Sequence, residues 1–345
     1  MSRRYLTASL TIAALLLAGC GGSQSETKDV RLITHDSFSL PTELIAEFER
    51  DTGYKLVVTK AGDAGTLVAG AVLAAGNPTA DVLYGVDNVS LAKALDGGVF
   101  VGYQSKESAA LDSRFATDSR VTAVDFGDVC VNYDIDYFRQ RKLDPPASLA
   151  DLVSPKYANL LVVEDPGTSS PGTAFLLATI ANDPDHWQSY WERLKANGVK
   201  VVASWDDAYY TEFTKGGGSG QRPLVVSYAS SPPAEIIYAE EPKPTTVSTG
   251  VMRQGCYRQV EYAGVLAGAA NTAGAQALVD WLVSKRVQDA LPLSMFVYPT
   301  RTDARLPEVF TKFASVIQQP LQLPASEVSS NLADWLSQWD SLNAS

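Results

Sequence analysis

The chain has 345 residues, 46% hydrophobic and 19% charged, the make-up of a folded globular protein with apolar mass for a sizeable core. At roughly 100–200 residues per domain that length fits two lobes. A formal net charge of −11 argues against a nucleic-acid partner and mildly favours cationic or neutral ligands.

The N-terminus is the most specific segment. Arg3 and Arg4 precede an apolar run over residues 10–18, broken only by Thr11, and Leu17-Ala18-Gly19-Cys20 follows. A basic start, a short apolar stretch and small residues at the cut predict a secretory signal over residues 1–19. The run is far short of the roughly 20 apolar residues that span a bilayer. A Cys after Leu-Ala-Gly resembles the lipobox of bacterial lipoproteins. Lipidation is therefore expected at Cys20, with residues 20–29 a polar tether. The mature chain is expected outside the cytoplasm, held at the periplasmic or cell-surface side of the membrane. Cys130 and Cys256 then remain. In an oxidising compartment such a pair stays bonded, so a disulfide is expected, with two separate buried thiols as the alternative.

Strands are predicted over residues 30–34, 54–59 and 81–86, alternating with helices over 41–51 and 67–75. This spacing implies a parallel α/β sheet. Residues 122–133 are read as extended. A second α/β region runs over residues 149–248, with strands at 160–163, 199–203 and 224–227 and a helix at 174–180. Residues 257–264 are extended again, a helix covers 275–283, and an element follows at 291–299. In the tail, Leu332, Trp335, Leu336 and Trp339 share one helical face, a packing stripe. The fold class is α/β, with two lobes joined by two extended crossings near residues 128 and 258, an arrangement that permits hinge closure on a ligand. The first lobe takes residues 30–127 and 259–310, the second 128–258, and residues 311–345 form a helical tail. Cys130 and Cys256 fall on the crossings, so the disulfide would staple the hinge. The glycine-rich run over residues 215–220 reads as a surface loop.

Catalysis and metal binding find little support. Two histidines, His35 and His186, are present, and no nucleophile elbow, His-Glu-x-x-His or P-loop occurs. No cofactor and no metal is expected. Aromatic and small polar residues do gather at strand ends, where open α/β sheets bind ligands. Ser170 is a plausible N-cap, with Pro171 at the first helical position, and a helix start flanked by hydroxyls is a ready anion site. Asp63 is either a cap or a carboxylate offered to a cation. Trp205, Tyr228 and Phe296 suit a flat aromatic cation if they face one cleft, although each could equally be core.

Thr34-His35-Asp36-Ser37-Phe38, residues 80–88 with Gly85-Val86-Asp87-Asn88, residues 165–172, Ser204-Trp205-Asp206-Asp207-Ala208-Tyr209, residues 226–232 and Tyr298-Pro299 resemble the periplasmic thiamine-binding proteins of ABC importers. The resemblance covers nearly the whole mature chain. It implies a type II two-lobed fold and capture of thiamine or a related heterocyclic cation, with thiamine phosphates as further ligands. It also implies delivery to a permease with its ATPase, and a monomer. Trp205, Tyr228, Asp63 and Ser169 are implied ligand contacts, with Ser169 facing the alcohol or phosphate end. His35, Asp36, Asp87, Ser170 and Phe296 complete the candidate set. Three positions depart from the pattern: His35 stands where Tyr is usual, Ala234 where Tyr is frequent, and Phe296 where Trp is expected. Tyr238 lies one helical turn beyond Ala234. The alternatives are a polyamine binder and a ferric-ion binder, the latter lacking a second Tyr because Ala229 follows Tyr228. A secreted thiamine-degrading enzyme is a further alternative, for which Cys130 is the conceivable nucleophile.

Overall fold

The structure, a computed structural model, describes residues 28–217 and 220–344. Cys20, the expected signal and the tether through residue 27 lie outside the described residues, as do Gly218 and Ser219 of the glycine-rich run.

In chain order, β1 (Asp29–Thr34), α1 (Thr42–Thr52), β2 (Lys55–Lys60), α2 (Ala64–Leu73), β3 (Val82–Asp87) and α3 (Leu91–Asp96) come first. Then follow β4 (Thr122–Asp134), α4 (Ile135–Arg141), α5 (Leu149–Leu152), β5 (Leu161–Glu164), α6 (Ser170–Asn182) and α7 (Trp187–Ala196). After them stand β6 (Lys200–Val202), a π-helical turn (Asp207–Glu212), β7 (Leu224–Tyr228) and α8 (Ala234–Ile237). The chain continues through β8 (Thr249–Val265), α9 (Thr272–Leu282), α10 (Lys285–Ser294), β9 (Tyr298–Pro299), α11 (Glu308–Phe313) and α12 (Ala325–Ala344). Local chemistry explains the boundaries. In α1, Leu44 and Phe48 point inward at helical spacing, and Gly53 ends the helix at φ 74°, the left-handed cap that glycine adopts freely. All six residues of β3 are buried, as a central strand covered on both faces requires.

The strands form one mixed sheet in the order β2-β1-β3-β8-β4-β7-β5-β6, with β9 beside β4. β1 pairs in parallel with β2 and β3, and β5 in parallel with β6 and β7. Between these parallel groups run β4 and β8, antiparallel from Thr122↔Ala263 to Asp134↔Thr249. Each end of the sheet has its own core. Val30, Leu32, Phe48, Val82, Leu278 and Leu282 fill one; Leu161, Val163, Phe175, Leu177, Trp191 and Val226 fill the other. Two lobes therefore share one pair of long strands. The disulfide joins Cys130 of β4 to Cys256 of β8, with Cα atoms 4.4 Å apart. α12 lies on the second core, where Trp339 meets Trp191 edge-on at 5.5 Å, so the tail's apolar stripe is packing.

Three expectations are corrected. β8 begins at Thr249, well before residue 257, because pairing with β4 carries the polar and glycine-bearing stretch over residues 250–256 into the sheet. α10 occupies part of what was marked as an element at 291–299, with Pro292 inside its last turns. α6 starts one residue earlier than expected, with Ser169 rather than Ser170 in the N-cap position.

Candidate functional site

A cavity of about 570 Å³ opens between the lobes, within the range of small-molecule sites. Its walls come from strand ends and helix starts of both lobes. The turn after β1 carries His35, Asp36, Ser37 and Phe38, and the start of α2 carries Asp63. Opposite stand Ser170 and Pro171 opening α6, then Trp205, Asp206, Tyr209 and Tyr210, then Tyr228 ending β7. Gln259 and Glu261 of β8 form the floor, and Ala234, Tyr238 and Phe296 lie toward the rim. Carboxylates outnumber ammonium groups in this lining five to two, Asp36, Asp63, Asp206, Glu235 and Glu261 against Lys60 and Lys215.

Asp63 caps α2 and ties the two lobes together. Its Oδ1 accepts from Ala64 N at 2.6 Å, capping α2, and its Oδ2 accepts from Trp205 N at 3.0 Å on the opposite lobe. Burial raises its pKa, against which those two N–H donors work. Asp36 ties the turn after β1 to the loop between β2 and α2, its Oδ1 accepting from Gly62 N at 3.0 Å. Next to it, Ser37 Oγ donates to Asp206 Oδ1 across the cleft at 3.0 Å. Backbone also closes on backbone, since a Cβ on Gly65 would stand 2.7 Å from Thr168 O.

The aromatic wall is held rigidly. Trp205 stacks on Tyr209 at 4.9 Å with 17° between planes, and its Nε1 donates to Ser227 Oγ at 3.0 Å. Tyr228 lies 6.4 Å from Trp205 and donates its hydroxyl to Gln259 Oε1 at 3.2 Å. Gly127 leaves it room, because a Cβ there would meet Tyr228 Cδ1 at 2.7 Å. Phe296 adopts φ 56°, a strained value for a side-chain-bearing residue, and meets Tyr238 of the other lobe at 5.6 Å.

Of the candidate residues, His35, Asp36, Asp63, Ser170, Trp205, Tyr228 and Phe296 come together on this cavity. Asp87 and Ser169 do not line it. Asp87 is buried, accepts from Ser90 N at 2.7 Å, and takes the Ser170 hydroxyl on its other oxygen, so it positions Ser170 from behind. Ser169 is fully buried at the α6 start. Sequence reasoning missed Glu261, Gln259, Tyr210 and Tyr238. For the first two a signal existed: Gln259 and Glu261 sit two apart in an extended apolar segment and so share a face. Cys130 is bonded and lies in a buried cluster with Ala229 and Ile317, away from the cavity.

A two-lobed α/β chain with a polar and aromatic cleft at the strand ends is built to enclose a small molecule. Residues 77–314 match the family model described as bacterial extracellular solute-binding protein, and the chain belongs to that family. It is 29% identical to the thiamine-binding periplasmic protein of Escherichia coli over 315 residues, 89% of this chain and 90% of that one. It is 25% identical to the protein of the same name from Brucella suis over 344 residues, 97% of this chain and 98% of that one. Among solved structures, a periplasmic thiamin binding protein superposes with TM-score 0.80 at 25% identity, covering 91% of this chain and 96% of that one. A ferric binding protein from Campylobacter jejuni shares the fold with TM-score 0.73 at 18% identity, covering 91% and 99% of the two chains.

Proposed function

We propose that this protein is the ligand-capturing component of an ABC importer, that it binds thiamine in the interlobe cleft without chemistry, and that it hands the vitamin to a membrane permease. The observation that carries the reading is the pairing of a rigid aromatic wall, Trp205 on Tyr209 beside Tyr228, with a lining in which carboxylates outnumber ammonium groups. A flat heterocyclic cation gains cation–π contact of about 0.5–2 kcal/mol per well-placed ring and electrostatic attraction from the carboxylates. The names of the E. coli and B. suis relatives point the same way. The N-terminus of α6, which opens on the cavity at Ser170 and Pro171, offers a helix dipole to a phosphate, which favours acceptance of thiamine monophosphate. The lobes divide near residues 128 and 258, the protein works as a monomer outside the cytoplasm, and acylated Cys20 tethers it to the membrane. Among the described residues, no helix is long and apolar enough to cross a membrane.

Ligand identity is tested by calorimetry on the chain lacking residues 1–20, with thiamine, thiamine monophosphate, spermidine and ferric citrate. Saturable one-to-one binding of thiamine at sub-micromolar strength is expected. No heat with thiamine, or tighter binding of spermidine or iron, overturns the assignment. Metabolic labelling with a fatty acid, lost in Cys20→Ala, tests the tether.

A further inference from the structure

Where β1 ends, His35 is buried against the cleft floor with Nε2 3.4 Å from Glu261 Oε2. Space is reserved for the ring: Gly85 holds φ +104°, and a Cβ there would stand 2.5 Å from His35 Cδ2. Tyr84 of β3 packs on the ring at 5.8 Å. Glu261 Oε1 accepts from Gln259 Nε2 at 3.1 Å, which aims the carboxylate. Register sets Asp125 of β4 opposite Glu261 of β8, and the Tyr84 hydroxyl donates to Asp125. Burial first, and the charge of Glu261 second, push Asp125 far above the usual carboxylate range. Burial and that neighbouring carboxylate therefore favour a proton on Asp125. Two further charges act on His35: Asp63 from α2 favours its protonation and Lys60 from β2 opposes it. Asp87 of β3 stands close enough to Glu261 to feel its charge.

We propose that Glu261 is the carboxylate that selects a cationic ligand and that the His35 imidazolium is a built-in rival for it, so that capture of the ligand expels a proton from His35 to solvent. This rests on the reading that the cleft takes an organic cation. In the unliganded protein, imidazolium and carboxylate neutralise each other. Burial opposes the charge on His35, but attraction to Glu261, 3.4 Å away and aided by Asp63, raises its pKa above the ordinary histidine value. A ligand cation beside Glu261 takes that carboxylate as its own counter-charge and repels the imidazolium, whose proton leaves. The sign follows by linkage: capture is strongest above the pKa of His35 and weakens as pH falls through it.

The first test is calorimetry of thiamine binding between pH 5.5 and 8 in buffers of different ionisation heat. The expected result is affinity about tenfold weaker at pH 5.5 than at pH 8, with a fraction of a proton released per ligand near the His35 pKa. In His35→Gln both the proton release and the His35 share of the pH dependence disappear. Asp63 and Asp125 remain in that variant, so the difference between the proteins isolates the imidazole. Glu261→Gln loses at least tenfold in thiamine affinity at pH 8. The second test needs no variant to bind ligand. The chain has two histidines, and His186 is exposed, so the His35 ring resonance is resolved by NMR. It should titrate above 6.5 in the free protein and shift down on adding thiamine or in Glu261→Gln. Thiamine binding with pH-independent affinity and no proton release overturns this inference and leaves the thiamine assignment standing. No thiamine binding at any pH overturns the assignment instead. The pair is then judged by NMR alone, where an unchanged His35 titration in Glu261→Gln overturns it.

Discussion

Removing the disulfide by Cys130→Ala with Cys256→Ala tests how the second lobe is stabilised. The two cysteines are separated by 126 positions. In the chain-entropy treatment, closing a loop of that length removes about 16–17 cal/mol/K from the unfolded state, or about 4.9 kcal/mol at 25 °C. Both sulfurs are buried with Ala229 and Ile317, so truncation to alanine adds a small packing loss on top. Equilibrium urea unfolding, followed by tryptophan fluorescence, should show the double variant about 4–5 kcal/mol less stable, with a steeper slope against urea because the unfolded chain is no longer held compact by the cross-link. The bond is outside the cleft lining, so thiamine affinity should stay within about twofold of the parent where both are folded. A loss below about 1 kcal/mol would refute the reasoning, because it would mean that the unfolded chain gains nothing from the cross-link. Thiol titration of the denatured parent supplies the control, with no free thiol expected from Cys130 or Cys256.

Two further outcomes follow from the cleft. Gly65→Ala puts a methyl 2.7 Å from the Thr168 carbonyl on the facing lobe, so the lobes cannot approach as closely; thiamine affinity should fall at least tenfold and small-angle scattering should show a larger radius of gyration. Unchanged scattering and affinity would contradict the interlobe contact. Trp205→Ala removes the ring that faces the cavity and stacks on Tyr209. A loss of at least tenfold in thiamine affinity is expected by calorimetry, about 1.4 kcal/mol, and an unchanged affinity would make the ring packing alone.

The fold was legible where hydrophobic period and breakers agree. Val30 and Leu32 alternate in β1, Leu44 and Phe48 recur at helical spacing in α1, and Gly53 stops that helix. It was obscured where tertiary pairing overrides local character. Residues 250–256 hold two glycines, Arg253 and Gln254, a stretch that locally suggests a turn, yet β4 recruits it into β8 across an irregular register between Val129 and Val131. α10 was hidden by Pro292 and by its polar first turns. The cleft shows the same division. Strand-end aromatics were visible because Trp205 and Tyr228 follow apolar runs directly. Glu261 was not, because a carboxylate inside a buried strand gains its meaning only from the imidazole that the β1 turn brings against it. Asp87 drew attention through the Gly85-Val86-Asp87-Asn88 segment of the family resemblance, but its two oxygens are spent on Ser90 and Ser170.

β4 and β8 have a mechanical consequence. A strand of 13 residues and one of 17 run unbroken from one lobe into the other, which at about 3.4 Å per residue is a ribbon of roughly 45–60 Å. No flexible linker joins the lobes there, so opening the cleft cannot be a swing about a slack joint. A torsion of the ribbon keeps the ladder bonds and takes up the angle at the irregular step between Ala123 and Asp125, since the Cys130–Cys256 bond pins the other irregular step, between Val129 and Val131. A twisted ribbon resists in proportion to its displacement, as a spring does. Binding energy spent on closing the lobes would then be stored elastically in the sheet, ready to reopen the cleft when the ligand is withdrawn.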